Sequence, residues 1–220
     1  MLFRSEFLPV SSSGHLVMFS TLLGLESEGG LFFEVAVHVA TLLAIAIFYR
    51  SKILELVTGV FRRDAMAVRY VGMLMLATLP AVVAALTFRT ILEQVLSSPA
   101  VAAGGFLITA AVLWTTRTTL PRADRTELSW TTALLIGLAQ AAAILPGVSR
   151  SGATVATALA LGVAPGVAAE FSFLLGIIAI SGAAILILPG LGDVSPEALT
   201  ALMLGCSAAL TSGLLAIWLF

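Results

Sequence analysis

Charge is what this sequence has least of. Only 10% of its 220 residues are Asp, Glu, Lys or Arg, against the roughly 25% of a soluble globular domain. With 60% hydrophobic residues and a mean hydropathy of +1.10, that scarcity excludes a water-soluble fold. An excess of one sign is also missing: 11 basic and 12 acidic residues leave a formal charge of −1. No basic stripe accumulates, so a nucleic-acid partner has no electrostatic footprint. Cysteine is nearly absent: Cys206 alone cannot form an intrachain disulfide, and with only two histidines it cannot complete a structural zinc site. A basic n-region followed by an apolar h-region is lacking at the start, so no cleavable signal peptide is expected and targeting falls to the spans themselves.

What the sequence does hold is a series of charge-free windows, at 7–25, 35–49, 70–88, 94–116, 128–149, 151–169, 171–192 and 198–220. A bilayer core of ~30 Å needs about 20 apolar helical residues, so most of these windows are long enough to span. Two are interrupted. The first holds Leu8-Pro9 and then Ser11-Ser12-Ser13-Gly14-His15, and 128–149 runs into Leu145-Pro146-Gly147-Val148-Ser149-Arg150-Ser151-Gly152. Each reads as two half-helices joined by a Pro/Gly/Ser turn. Such a turn survives at membrane depth only when buried in protein or lining a wet cavity, because an unpaired backbone group in hydrocarbon costs several kcal/mol. The plainer reading is that each proline ends or kinks a span.

The two turns resemble each other, and the spans after them also match. The expected architecture is an all-α polytopic membrane protein built as an inverted-topology repeat, with two re-entrant helix hairpins and about five transmembrane helices. The first repeat, 1–127, contains a re-entrant hairpin at 1–24 and spans near 31–49, 67–88 and 100–116. The second, 128–220, contains a hairpin at 130–163 and spans near 166–189 and 198–220, and is expected to be shortened at its C-terminus. Loop charges orient it: Arg50, Lys52, Arg62, Arg63 and Arg69, with Arg117, Arg122 and Arg125, mark the cytoplasmic face, whereas Glu26, Glu28, Asp193 and Glu197 mark the outer one. The hairpins then enter from opposite faces, and inverted repeats place their sites near the midplane where such broken elements meet.

An ionisable group inside a span costs ~2.5–3.5 kcal/mol on insertion scales, so each needs a reason. The candidates are Glu6, His15, Glu34, His38, Arg150 and Glu170. Arg150 is the sharpest, because a permanent cation, the hydroxyls of Ser149, Ser151 and Thr154, and the backbone amides freed by Gly147 and Gly152 converge where a half-helix begins. A helix N-terminus with an arginine is a preferred seat for a phosphate or another oxyanion. The opposite turn supplies Ser11, Ser12 and Ser13 as nucleophiles or donors and His15 as an acid or base. Glu6 can orient His15 or hold a divalent cation by its oxygens. Alone, that serine run is equally explained as a polar helix cap. Glu34 and His38 share one helical face and read as orienting or interfacial, and Glu170 reads as a partner for a buried polar group.

At these turns the sequence resembles the undecaprenyl-diphosphatase family, the undecaprenyl pyrophosphate phosphatases of the bacitracin-resistance type. The resemblance rests on Glu6-Phe-Leu-Pro-Val-Ser-Ser-Ser-Gly-His15 and Leu145-Pro-Gly-Val-Ser-Arg-Ser-Gly-Ala-Thr154, with Phe33-Glu34-Val35 and Glu170-Phe171-Ser172-Phe173-Leu174-Leu175. It implies a membrane enzyme that hydrolyses undecaprenyl diphosphate to the monophosphate plus inorganic phosphate and so recycles the lipid carrier of cell-wall synthesis. It also implies six spans in the full fold, a divalent cation (Mg2+ or Ca2+), an inner-membrane location with the site opening outward, and room for a homodimer.

Carried over residue by residue, Glu6 corresponds to the second acid of the family's paired-acid element and Ser12 to its proposed nucleophile, flanked by Ser11 and Ser13. His15 corresponds to the catalytic histidine, and Arg150 with Gly147, Ser149, Ser151, Gly152 and Thr154 to the diphosphate-binding turn; Glu34 and Glu170 support them. Leu2 stands where that element has its first acid or amide, a departure that leads to the expectation of a chain shortened at both ends, with an inactive truncated member as one alternative. Another is a polyprenyl-phosphate transporter, since broken helices in an inverted repeat are also transporter architecture. A type-2 phosphatidic acid phosphatase is excluded, because no histidine follows Arg150.

Overall fold

The computed structural model describes residues 11–23, 30–187 and 196–219, and among these the chain is all-α. The helices are α1 (Ser12–Leu23), α2 (Gly30–Phe48), α3 (Arg50–Phe61), α4 (Ala65–Thr87), α5 (Arg89–Val95), α6 (Pro99–Thr119), α7 (Trp130–Ala142), α8 (Arg150–Ala160), α9 (Pro165–Ile187) and α10 (Pro196–Leu219). Several begin where the sequence supplies a cap. The Asp64 carboxylate accepts from the Ala67 amide before α4, Ser98 Oγ from Val101 before α6, and Ser129 Oγ from Thr132 before α7. Proline opens α6, α9 and α10, where its missing N–H costs nothing.

Ala65–Thr87, Pro99–Arg122 and Pro165–Ile185 are each long and apolar enough to cross a membrane, and Ala36–Phe48 qualifies jointly with Arg50–Phe61, from which it is bent by 78°. The 24-residue α10 has an apolar centre at Leu202–Leu215. The chain is thus a multi-pass, all-α membrane protein. Each of the five expected spans is a helix whose ends fall within three residues of the expected window. The segment 50–69, read as a charged loop, is a real departure: it folds as α3 and the first turn of α4. Arg50, Lys52 and Glu55 must reach water, while Ile53 and Leu56 of the same helix pack onto the core, so the chain turns sharply at Tyr49 instead of continuing α2.

The α7–α8 unit is a hairpin too short to span. Its helices have 13 and 11 residues, about 20 and 17 Å at ~1.5 Å per residue, against a ~30 Å hydrocarbon core. Both outer ends are tied to one another: the amides of Asp124 and Arg125 donate to the Gly162 carbonyl, and the Ala164 amide donates to that of Arg125. The chain therefore enters before α7 and returns after α8 at the same end. Arg69 at the start of α4 joins that end through a 3.0 Å bond to the Leu128 carbonyl. The entering arm of the first hairpin, 1–10, lies outside the described residues.

Small residues set the spacing of the core. It is built from Leu56, Ala77, Ile136, Leu159, Phe171 and Leu175 with several alanines between them. Gly137 of α7 lies directly on the backbone of Ala77 in α4, so that a Cβ there would sit 2.7 Å from the Ala77 Cα. Close backbone approach through small residues is how membrane helices gain dispersion contacts when burial from water no longer drives association. Gly137→Val is accordingly expected to lower stability by about 1–3 kcal/mol through overpacking. Thermal unfolding in detergent measures this, and an unchanged midpoint would show that α4 and α7 can separate without loss.

Candidate functional site

The site forms where the starts of α1 and α8 meet on α6. Gly14, in the first turn of α1, touches the backbone of Gly147 in the turn before α8: a Cβ on Gly14 would lie 2.7 Å from the Gly147 Cα and 2.8 Å from the Phe106 ring. Gly147 has a positive φ of 85° and faces the Ala102 carbonyl, so any side chain would meet both strain and collision. Gly105 is equally constrained, lying against the Pro146 carbonyl. Thr109 completes the seat. Its buried Oγ1 donates to the Gly147 carbonyl at 2.7 Å and accepts from the Ser149 amide at 2.8 Å, so one hydroxyl satisfies both sides of the turn.

At the α1 turn the three consecutive serines do different things. Ser11, with φ of 59°, sits in the left-handed region that non-glycine residues seldom occupy. Its buried Oγ accepts from the Gly14 amide and lies 3.3 Å from Ser13 Oγ. Ser12 alone reaches another helix, its exposed Oγ standing 2.9 Å from His38 Nε2 on α2. His15 Nδ1 is 2.9 Å from the Ser11 carbonyl, and its ring meets the Phe106 ring edge-on at 4.9 Å. Since a carbonyl only accepts, Nδ1 carries the proton and the neutral ring keeps its lone pair on Nε2.

At the α8 turn, Ser149 is the cap: its Oγ accepts from the Gly152 amide at 3.1 Å and is 3.4 Å from Ser151 Oγ. Thr154 is turned inward. Its Oγ1 donates to the Arg150 carbonyl and shares a 2.5 Å hydrogen bond with Ser172 of α9. The hydroxyls of Ser149 and Thr154 and the Gly152 amide, expected to meet a ligand, are therefore already committed to holding the turn. Arg150 is not. Among the described residues its guanidinium has no ion pair or hydrogen bond, and it lies over Gly176 of α9, where a Cβ would be 3.0 Å from Nη2.

Glu170 stands apart from this cluster, near the start of α9. It accepts a 3.2 Å hydrogen bond from the Tyr70 hydroxyl and lies 3.9 Å from Lys52 Nζ, which also faces the Tyr70 ring. That is a structural partnership at the basic end of the bundle. Glu6 and the Glu34 side chain lie outside the described residues. Reading the sequence missed Thr109, Phe106 and Gly176, which sit in charge-free windows as ordinary span residues, and gave Ser172 only as a member of the matched 170–175 run with no role. The one available signal was the Gly104-Gly105 pair, which marks a close approach without saying to what.

Comparison with known proteins gives a family and several relatives. The family model described as "Bacitracin resistance protein BacA" matches residues 4–220. A protein of Desulfatibacillum aliphaticivorans named undecaprenyl-diphosphatase is 38% identical, over 98% of this chain and 84% of its own length. One of Halalkalibacterium halodurans, named undecaprenyl-diphosphatase 1, is 45% identical over 78% of this chain and 65% of its own. A third, the undecaprenyl-diphosphatase of Acinetobacter baumannii, is 36% identical over 82% of this chain and 67% of its own.

The Thr109 clamp makes a direct prediction. Thr109→Val keeps shape but strands the Gly147 carbonyl and the Ser149 amide, a loss of about 1–3 kcal/mol for buried groups left unpaired. Thr109→Ser should stay near the parent. Equal thermal midpoints for the Val and Ser variants would show that the turn is held by packing alone.

Proposed function

The chain belongs to the bacitracin resistance protein BacA family, and from that premise we propose that it hydrolyses undecaprenyl diphosphate to undecaprenyl phosphate and inorganic phosphate, recycling the lipid carrier of cell-wall synthesis. The observation that supports this most is the contact of Gly14 with Gly147. It joins a turn bearing hydroxyls and an imidazole to one bearing a cation with no partner among the described residues, which is the pairing a phosphoanhydride hydrolase needs.

In this reading Arg150 and the start of α8 hold the diphosphate and offset charge that grows in the transition state. Ser12 Oγ attacks the terminal phosphorus, its proton passing to the departing phosphate, as the bond from that phosphorus to the bridging oxygen breaks and the polyprenyl monophosphate leaves with the bonding electron pair. Water then displaces the serine from phosphorus. His15, which the resemblance makes the catalytic histidine, takes a proton from that water on Nε2, and a proton returns to the departing Ser12 oxygen. The isoprenoid tail lies between spans among apolar side chains. Glu6 is proposed to orient His15 or to hold a divalent ion, Mg2+ or Ca2+. Among the described residues no group of three His, Cys, Asp or Glu could hold a metal, and no step here runs through the ion.

We extend the proposal to location. The basic residues of α3, of the start of α4 and of the 117–128 connection gather at the end where α7 enters and α8 leaves. If that end is cytoplasmic, by the positive-inside rule, the second hairpin rises from the cytoplasmic side of the inner membrane. The first hairpin then descends from outside as the other half of an inverted repeat, and the site opens outward.

Phosphate release from farnesyl diphosphate by the detergent-purified chain tests the function. Arg150→Ala should lose about 100- to 1,000-fold in kcat/KM, the scale of removing one preorganised charge donor. Gly176→Val should reduce activity by displacing the guanidinium while leaving the fold intact, because the colliding atoms are the movable end of a side chain. Chelator should abolish release, with Mg2+ or Ca2+ restoring it. Full activity in Arg150→Ala would overturn the assignment of the anion seat.

A further inference from the structure

We propose that Ser12 and His38 form the reactive pair of this site: Ser12 is the hydroxyl that meets phosphorus, and His38 is the group that orients it. This rests on the diphosphatase reading and adds to it a residue from α2 that neither turn contains.

The serine run offers three chemically equivalent hydroxyls, and the geometry separates them. Ser11 is buried and spent on the Gly14 amide, and Ser13 lies against Ser11. Ser12 is exposed, is not needed as a cap, and has its Oγ 2.9 Å from His38 Nε2 on α2. A serine hydroxyl otherwise rotates among staggered positions, and in some of them its proton faces the electrophile. Donating that proton to Nε2 directs it toward α2 and leaves the oxygen lone pairs for an incoming phosphorus. Fixing a nucleophile in a near-attack geometry is worth orders of magnitude in rate.

His15, the nearer histidine in sequence, makes no hydrogen bond to Ser12 among the described residues. Its Nδ1 is held by the Ser11 carbonyl and its ring by Phe106. The two imidazoles therefore divide the work, His38 setting the hydroxyl and His15 remaining with its Nε2 lone pair for water. In sequence, His38 follows Glu34 by one helical turn on the same face.

The test uses the full chain in detergent with farnesyl diphosphate and reads kcat and KM separately for Ser12→Ala, His38→Ala, His38→Gln and the Ser12→Ala/His38→Ala double variant. His38→Ala should lower kcat about 10- to 100-fold with KM within about twofold, the range of one positioned acid–base or orienting group. His38→Gln, whose amide oxygen can still accept from the hydroxyl, should recover to within about threefold of wild type. In the Ser12→Ala background the His38 change should add nothing, because the two act as a unit. The proposal is overturned if His38→Ala stays within about threefold of wild type, if its effect multiplies that of Ser12→Ala, or if His38→Gln is as slow as His38→Ala, which would make His38 a proton acceptor instead. Should His38→Ala not fold, the glutamine variant and Ser12→Ala decide the matter. An inactive wild type would sink the diphosphatase reading itself, whereas an active wild type with indifferent His38 variants would sink only this pair.

Discussion

Unpaired backbone in hydrocarbon is the constraint from which this structure follows. A re-entrant hairpin exposes the carbonyls that end one half-helix and the amides that begin the next, and the bilayer offers nothing to bond them. At the turn before α8 the protein supplies the partners itself. Thr109 serves both the Gly147 carbonyl and the Ser149 amide, Ser149 Oγ serves the Gly152 amide, and Ser172 anchors Thr154. The turn also packs closer to α1 and α6 than a side chain permits, which is why glycine occupies positions 14, 105 and 147. The site is thus first a solution to a solvation problem. Its chemistry occupies the groups left over once the turn is satisfied.

That ordering explains what was legible in the sequence. The spans could be read because absence of charge over about 20 residues has one dominant physical meaning. The turns could be read because proline, glycine and serine clusters have no business in a plain span. Arg150 could be read because an intramembrane cation demands a reason. The division of labour within the motif could not: Ser11, Ser12 and Ser13 are indistinguishable as letters, and only the folded turn sets Ser12 Oγ beside His38 while Ser11 Oγ takes the Gly14 amide. Nor could Thr109, because a threonine within a span is as often bonded to its own helix, as Thr78 is to Leu74. The helix α3 was missed for a related reason. Its charges identified it as outside the membrane, but not as folded.

Gly176 illustrates how far a functional residue can sit from a functional motif. It lies 26 positions beyond Arg150, on a different helix, and carries no chemistry. Its missing side chain is the space into which the guanidinium fits. Positions of this kind are defined by what another residue occupies, so local pattern cannot reveal them.

The remaining tension is electrostatic, and Arg150 and Lys52 resolve it in opposite ways. Lys52 pairs with Glu55 at 3.3 Å, approaches Glu170 at 3.9 Å and faces the Tyr70 ring, at an end of the bundle where water is within reach. Arg150 sits at the hairpin turn, its guanidinium over Gly176, with no carboxylate paired to it among the described residues. Folding a permanent cation into such a place is unfavourable, and an acidic partner on α9 would relieve it. It would also cancel the field that an anionic ligand needs. With no carboxylate against it among the described residues, the compensation moves from folding to binding: a diphosphate entering the site supplies negative charge and recovers what the fold gave up. A strong seat for the substrate and a fully stabilised apo protein are therefore competing designs at this position, and a helix α9 that sets Gly176 instead of a carboxylate against Arg150 is the choice of the first.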